Sequence, residues 1–124
     1  MRWRMLLTLG LVASVAAAQD PTKVAPGFYK VELENDQVRV LRVKYGPHQK
    51  SPMHSHPAGI TTFLTDAHIR HVSADGKVEE RKVKAGEARW SPARVHTTEN
   101  LSDRPFEAAA VELKPPAAAQ SPQK

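Results

Sequence analysis

The sequence predicts an all-β protein whose single domain folds as a sandwich or barrel, such as a jelly roll. Short segments of the 124-residue chain alternate apolar and polar residues or are rich in β-branched residues. Turn signals separate these segments at close spacing, and neither an internal repeat nor a helical periodicity is present. The predicted strands comprise residues 28–34, 37–45, 60–65, 67–72, 77–84, 88–91, 95–101 and 106–113.

The first two predicted strands, residues 28–34 and 37–45, lie on either side of the turn pair Asn35-Asp36. Apolar residues alternate with charged residues in both, and Gly46-Pro47 ends the second. Alternation with a period of two is typical of a strand with one buried and one exposed face.

The middle of the chain contains a hairpin signal. Residues 60–65 and 67–72 are apolar and β-branched, and Asp75-Gly76 follows them as a two-residue hairpin turn. The next segment, residues 77–84, alternates charged residues with valines. This pattern predicts an exposed strand or an edge strand.

The last three strands are short. Residues 88–91 and 95–101 lie on either side of Pro92. The alanine content of residues 106–113 is compatible with a helix, but Arg104-Pro105 precedes the segment and a Val-Glu-Leu sequence ends it. These flanks favour a strand that closes the domain.

The N-terminus has the features of a secretory signal peptide, residues 1–18. A positive start precedes a short apolar stretch and an Ala-x-Ala end, with cleavage expected after Ala18. The apolar stretch is shorter than the ~20 residues that a membrane span needs, which argues against an anchor. We therefore expect an exported protein, periplasmic or secreted, without stable membrane insertion after cleavage.

The remaining chain divides into three parts. Residues 19–27 contain two prolines and no periodicity, and are expected to be a linker. Residues 28–114 form the predicted barrel domain. Residues 115–124 are rich in Pro, Ala and Gln, a composition typical of a disordered tail.

Composition excludes several classes of function. The formal net charge is only +5, and it falls by two when Arg2 and Arg4 leave with the signal peptide. The basic residues are scattered along the chain, so we expect no nucleic-acid partner. There is no cysteine, serine elbow or glycine-rich phosphate loop. No residue can be assigned as a catalytic nucleophile or base. Without disulfides, stability must come from the core, helped by a metal or a second subunit.

The most informative motif is His54-Ser55-His56, followed forty residues later by His96. On a strand, positions i and i+2 project from the same face, so His54 and His56 would point the same way if they lie on one. A third imidazole from another strand would complete a set of nitrogen ligands with open coordination positions, typical of a catalytic metal site. The alternative is an exposed loop pair between two prolines.

These segments resemble the two sequence motifs of the cupin superfamily. The first family motif is Gly, five residues, His-x-His, three or four residues, Glu, six residues and Gly. Here seven residues separate Gly46 from His54, and the closing glycine is absent. The glutamate is also missing, because its place falls at Ile60 or Thr61.

The second family motif is Gly, five residues, Pro-x-Gly, two residues, His, three residues and Asn. Gly86 is followed after five residues by Pro92, and His96 after three by Asn100. One residue and the inner glycine are missing between Pro92 and His96, with Arg94 nearby instead. The resemblance spans roughly residues 33–113 and is to small, single-domain bacterial cupins of the cupin-2 type.

The resemblance implies an all-β, single-domain cupin-like double-stranded β-helix in which His54, His56 and His96 are the metal ligands. The cofactor would be a divalent Fe, Mn, Ni or Zn ion. Two functions stay open: a metal-dependent, dioxygenase-like enzyme acting on a small molecule, and a non-catalytic small-molecule-binding module that has lost its metal. Family members also commonly form homodimers through edge strands.

Three further residues are candidates for substrate binding. Arg70 and His68 share a strand face, and Arg70 has the geometry to bind a carboxylate in a bidentate manner. Thr62 is the nearest other oxygen-bearing residue to the position of the missing glutamate. The alternative for Arg70 is a solvated strand arginine. His71 is three residues from His68, so at most one of the two lines a barrel.

Overall fold

The computed structural model describes residues 19–116, and within this range it contains one four-residue helix and nine strands. The all-β prediction is confirmed. The elements are α1 (Pro21–Val24), β1 (Tyr29–Glu34), β2 (Val38–Tyr45), β3 (His54–His56), β4 (Gly59–Phe63), β5 (Ala67–Ser73), β6 (Val78–Val83), β7 (Ala88–Ser91), β8 (Arg94–Asn100) and β9 (Phe106–Leu113). No helix of the described range is long and apolar enough to cross a membrane.

The strands form two antiparallel sheets. One has the order β1-β2-β9-β4-β7 and the other the order β3-β8-β5-β6. Strands adjacent in space are often distant in sequence, as expected for a jelly roll. The second sheet places β3 beside β8, which brings the two histidine motifs together.

Both sheets contribute to one hydrophobic core. Alternation in β2 turns Leu41, Val43 and Tyr45 inward, and all three are buried. Tyr45 is paired in register with Phe106 of β9, and their rings stack with centroids 5.0 Å apart. Burying each such side chain contributes roughly 1.5–3 kcal/mol to the free energy of unfolding. Because the chain has no cysteine, this core stabilises the domain without disulfides.

The segment 19–27 differs from the expected linker. Asp20 caps the N-terminus of α1 by accepting a hydrogen bond from the Thr22 amide at 2.9 Å. Pro21 and Ala25 are buried. The segment is therefore folded against the barrel, a result that composition alone does not reveal. The expected signal peptide and residues 117–124 of the expected tail lie outside the described residues.

One glycine fixes the approach of two strands. Gly59 opens β4 opposite Glu112 of β9, and a Cβ atom added to it would lie 2.1 Å from the carbonyl oxygen of Val111. No side chain fits at that distance. Gly59 thus allows the close β4–β9 contact that holds Glu112 beside the histidine motifs.

Candidate metal centre

Three histidines converge inside the barrel. His54 and His56 project from the same face of β3, and His54 is directly opposite His96 in the β3–β8 pair. Their side chains are buried, and each offers one ligand atom that lies within 4.8 Å of the other two. The strand expected to carry both His54 and His56 is present as β3. The alternative of an exposed loop pair is wrong.

Hydrogen bonds on the far side of two rings fix which nitrogen is free. His54 donates from Nδ1 to the Pro52 carbonyl oxygen at 2.8 Å. His56 donates from Nδ1 to Oε2 of Glu112 at 2.7 Å. A neutral imidazole carries one proton, so Nε2 of both rings is unprotonated and can act as a ligand or as a hydrogen-bond acceptor. This is the arrangement that orients imidazoles toward a metal ion.

The electrostatics of the site favour neutral histidines. Burial, together with the neighbouring His56, lowers the pKa of His54 from 6.5 to about 4. Burial also lowers the pKa values of His56 and His96. Neutral imidazole is the form that binds a metal, so no proton has to be displaced at neutral pH.

Glu112 of β9 is a buried carboxylate that sequence analysis missed. It is 4% exposed, and its Oε1 accepts a hydrogen bond from Nε of Arg39 at 2.9 Å. Arg39 in turn contacts Asp20 at 2.7 Å. Glu112 thus places a carboxylate beside Nδ1 of His56, where it orients the ring and does not take the place of the missing glutamate ligand. Of the positions considered for it, Ile60 is exposed and Thr61 lines the cavity.

Tyr29, at the start of β1, is a second residue that sequence analysis missed. Its hydroxyl lies 3.0 Å from Nε2 of His54 and 2.7 Å from the hydroxyl of Tyr45. Because His54 Nδ1 carries the proton, Tyr29 is the donor to Nε2. Its ring also packs against His56, with centroids 5.4 Å apart. The Tyr29 hydroxyl therefore lies beside the proposed metal position.

His71 of β5 extends the histidine cluster. Its ring stacks on that of His96, with centroids 4.4 Å apart and planes 1° from parallel. Its Nδ1 lies 2.9 Å from Oγ1 of Thr98. The prediction that at most one of His68 and His71 lines the barrel is confirmed, with His71 as the inward residue.

The candidate substrate residues lie elsewhere. Arg70 contacts Glu99 at 3.4 Å and His68 contacts Glu80 at 2.6 Å, both on the outward face of their sheet. Thr62 alternates with Thr61, and it is Thr61 that lines the cavity. Strand alternation is the reason that Thr62, His68 and Arg70 are not among the residues that line this cavity.

Asn100, the last residue of the second motif, has a structural role. It is fully buried at the end of β8 and donates to the carbonyl oxygens of Gly46 at 3.0 Å and Arg104 at 2.8 Å. Its side-chain oxygen accepts from the Ser102 amide at 2.9 Å. These bonds hold the strand end and leave no ligand atom for the metal position.

A cavity of about 290 Å³ adjoins the histidines. His56, His71, His96 and Thr98 supply polar groups to its wall. Its apolar wall consists of Val43, Phe63, Ile69, Phe106, Ala108 and Ala110. Charged side chains line the rest of the wall, among them Arg81, Arg89 and Arg94. Apolar walls combined with convergent polar groups are the usual form of a small-molecule site.

Solved structures share this architecture. A cupin domain from Bordetella pertussis Tohama I aligns with a TM-score of 0.66 and 20% identity over 71% of this chain and 93% of that one. A protein with a double-stranded β-helix domain from Klebsiella pneumoniae aligns with a TM-score of 0.57 and 25% identity over 87% and 92%. The chain has the cupin fold. An RmlC-like cupin from Methanocaldococcus jannaschii also matches, with a TM-score of 0.58 and 14% identity over 75% and 84%.

No protein-family sequence profile matches the chain, and no curated protein is similar enough in sequence to match it. The cupin fold was therefore recognisable in two degenerate motifs and in the three-dimensional structure. The function has to be argued from the site itself.

Proposed function

We propose that this cupin holds a divalent transition-metal ion through His54, His56 and His96 and uses the adjoining cavity to bind and transform a small molecule. The observation that carries this proposal is the convergence of three buried imidazole ligand atoms within 4.8 Å. A dioxygenase-like reaction is one form of this activity.

The residues present fit such an ion. His54 and His56 each donate from Nδ1 to an acceptor, which leaves Nε2 unprotonated, and burial favours the neutral form of all three histidines. Imidazole ligands suit Fe, Ni and Zn better than magnesium or calcium. A bound ion would supply Lewis acidity at its open positions, and iron would add redox chemistry.

The surrounding residues have defined parts in this function. Glu112 and the Pro52 carbonyl orient the rings of His56 and His54. Tyr29 places a hydroxyl beside the site, where it can donate to a bound oxygen atom. The apolar part of the cavity wall would contact the apolar part of a bound molecule.

One observation favours the second function, a metal-free binding module. The Tyr29 hydroxyl donates to Nε2 of His54, so this nitrogen has a protein partner without any ion. In that case the same cavity would bind a small molecule by hydrogen bonds to the histidines alone. Metal content distinguishes the two functions.

We further propose that the protein is exported, to the periplasm or beyond, and forms a homodimer. Residues 1–18 support export, and the absence of cysteine is compatible with either redox environment. Strand β1 supports dimer formation, because it is an edge strand on which Val31 and Leu33 are 39% and 51% exposed. N-terminal sequencing of the mature protein and light scattering test the two statements.

The metal test is elemental analysis of protein expressed from the full chain without a histidine tag. The variants are His54→Ala/His56→Ala and, as a matched control, His68→Ala on the outward face. Near-stoichiometric metal in the wild type and the control, lost in the double variant, is expected. Wild-type protein without metal, even after incubation with Fe, Mn, Ni or Zn, would exclude the enzyme and favour the binding module. Circular dichroism verifies that each variant is folded.

A further inference from the structure

We propose that Arg94 is an anion-binding residue of the cavity and that the natural ligand is a small organic acid held through its carboxylate. This inference rests on the proposed function in one respect, namely that the cavity is the small-molecule site. It adds the chemical class of the molecule, which the three histidines alone do not define.

The position of Arg94 follows from strand register. Arg94 opens β8 directly opposite His56 of β3, two residues before His96. Residues opposite each other in an antiparallel pair project to the same face, as do residues i and i+2 of one strand. Arg94, His56 and His96 therefore share the inward face, and all three line the cavity.

Arg94 differs from the other cations of the cavity wall in lacking a carboxylate partner. Arg89 is paired with Glu87 at 2.7 Å and Arg81 with Glu79 at 3.3 Å. Lys77 also contacts Glu79, at 3.7 Å. Within residues 19–116, no carboxylate oxygen lies within 4.0 Å of the Arg94 guanidinium, which donates one long hydrogen bond, 3.3 Å, to the Pro92 carbonyl oxygen.

The surroundings of Arg94 favour an added anion. The guanidinium is partly buried, and burial lowers its pKa because the charged form is poorly solvated there. Its charge lowers the pKa values of His54, His56, His71 and His96, so it is electrostatically close to the whole cluster. A divalent ion on three neutral imidazoles would add further positive charge, and the Glu112 carboxylate, which interacts with Arg94 and is hydrogen-bonded to His56 and Arg39, offsets part of it.

Carboxylate is the anion that this geometry suits best. A guanidinium offers parallel N–H donors that match the two oxygens of a carboxylate, and the contact is stronger in a partly desolvated site. The apolar wall formed by Val43, Phe63, Ile69 and Phe106 would contact the remainder of the molecule. A volume of about 290 Å³ is at the small end of ligand pockets and restricts the ligand to a compact acid.

The test is calorimetric titration of protein expressed from the full chain, with and without zinc. The probes are acetate, butyrate and benzoate, their three amides, and inorganic phosphate and sulfate. The variants are Arg94→Gln, which removes the charge at similar size, Arg94→Lys, which keeps it, and Arg70→Gln as an outward-facing control. Zinc content is measured on every sample.

At least one carboxylate is expected to bind the wild type and Arg70→Gln equally, and its amide to bind at least about tenfold more weakly. Arg94→Gln should lose about tenfold or more in carboxylate affinity while retaining zinc, with partial recovery in Arg94→Lys. Equal binding of acids and amides, no carboxylate binding by the wild type, an unchanged Arg94→Gln variant, or tighter binding of phosphate or sulfate would each overturn the proposal. If the wild type binds no zinc but binds a carboxylate through Arg94, the metal function fails and this inference stands.

Discussion

Nδ1 of His56 lies 2.7 Å from Oε2 of Glu112, and both side chains are almost fully buried. The pair joins the first histidine motif to the last strand of the barrel. The other oxygen of Glu112 is held by Arg39, which Asp20 also contacts. The orientation of a proposed metal ligand thus depends on a chain of charged residues that begins in the N-terminal segment.

Replacing Glu112 by Gln should weaken metal binding. The amide keeps a similar shape but removes the charge that strengthens the hydrogen bond from His56 and raises its basicity. We expect zinc affinity to fall about 10- to 100-fold in a competition assay with a chromophoric chelator. The control is Glu99→Gln, which disrupts a contact with Arg70 on the outward face. Unchanged zinc affinity in Glu112→Gln would show that the charge of the carboxylate does not contribute to metal binding.

Replacing Tyr29 by Phe should have opposite effects on the stability of the metal-free protein and on its affinity for zinc. The variant removes the hydrogen bond to Nε2 of His54, which has to break when that nitrogen binds a metal. We expect the metal-free protein to lose about 1 kcal/mol of stability and its zinc affinity to rise by up to about tenfold. The control is Tyr45→Phe, which leaves the Tyr29–His54 contact in place. A large loss of zinc affinity in Tyr29→Phe would instead show that the hydroxyl binds the metal.

The metal-free protein should be sensitive to mild acid. The folded-state pKa of His54 is lowered from 6.5 to about 4, so between these values the unfolded state binds a proton that the folded state does not. The free energy of unfolding is therefore unaffected by His54 above about pH 6.5, and it falls as the pH decreases toward 4. At pH 5 the expected loss for His54 is on the order of 2 kcal/mol relative to pH 7.5.

Urea denaturation at both pH values measures this loss. His71→Gln should reduce the total loss of stability between pH 7.5 and pH 5, because burial also lowers the pKa of His71 to about 4 and the variant removes the contribution of that residue. His68→Gln, on the outward face, is the comparison and should retain the full loss. Equal stability of the metal-free wild type at pH 5 and pH 7.5 would contradict the burial of neutral histidines.

Gly59 should not tolerate a side chain. A Cβ atom would lie 2.1 Å from the Val111 carbonyl oxygen, so β4 and β9 would have to separate at the position that carries Glu112. Gly59→Ala is expected to cost about 3 kcal/mol in thermal or urea unfolding. Gly27→Ala is the control, since no atom lies within 4 Å of its added Cβ. Similar stability of the two variants would refute the close contact.

The sequence predicted the fold because strand periodicity is local. Alternation identified most strands, and the His54-Ser55-His56 spacing predicted two imidazoles on one face. Strand β3 could only be conditional, because three residues between two prolines are too short for a periodicity. The expected linker gave no signal either, since the burial of Pro21 and Ala25 depends on the barrel surface that they contact.

The residues that sequence analysis missed depend on pairing across the barrel. Glu112 is 56 positions from His56, and their contact joins β9 of one sheet to β3 of the other. In the sequence, nothing distinguishes Tyr29 from other strand residues, because its contact with His54 arises only from the packing of β1 in the fold. Alternation predicted that His68 and His71 face opposite sides, but only the packing of the two sheets determines that His71 points inward.

The most direct test of the central claim is X-ray absorption spectroscopy at the zinc edge of zinc-loaded protein, compared with its His96→Ala variant. A three-histidine site predicts three imidazole scatterers with Zn–N distances of about 2.0–2.1 Å in the wild type. It also predicts the loss of one imidazole, or of zinc altogether, in the variant. A wild-type spectrum with fewer than three imidazoles, or one that is identical in the variant, would contradict the assignment of His54, His56 and His96 as the metal ligands.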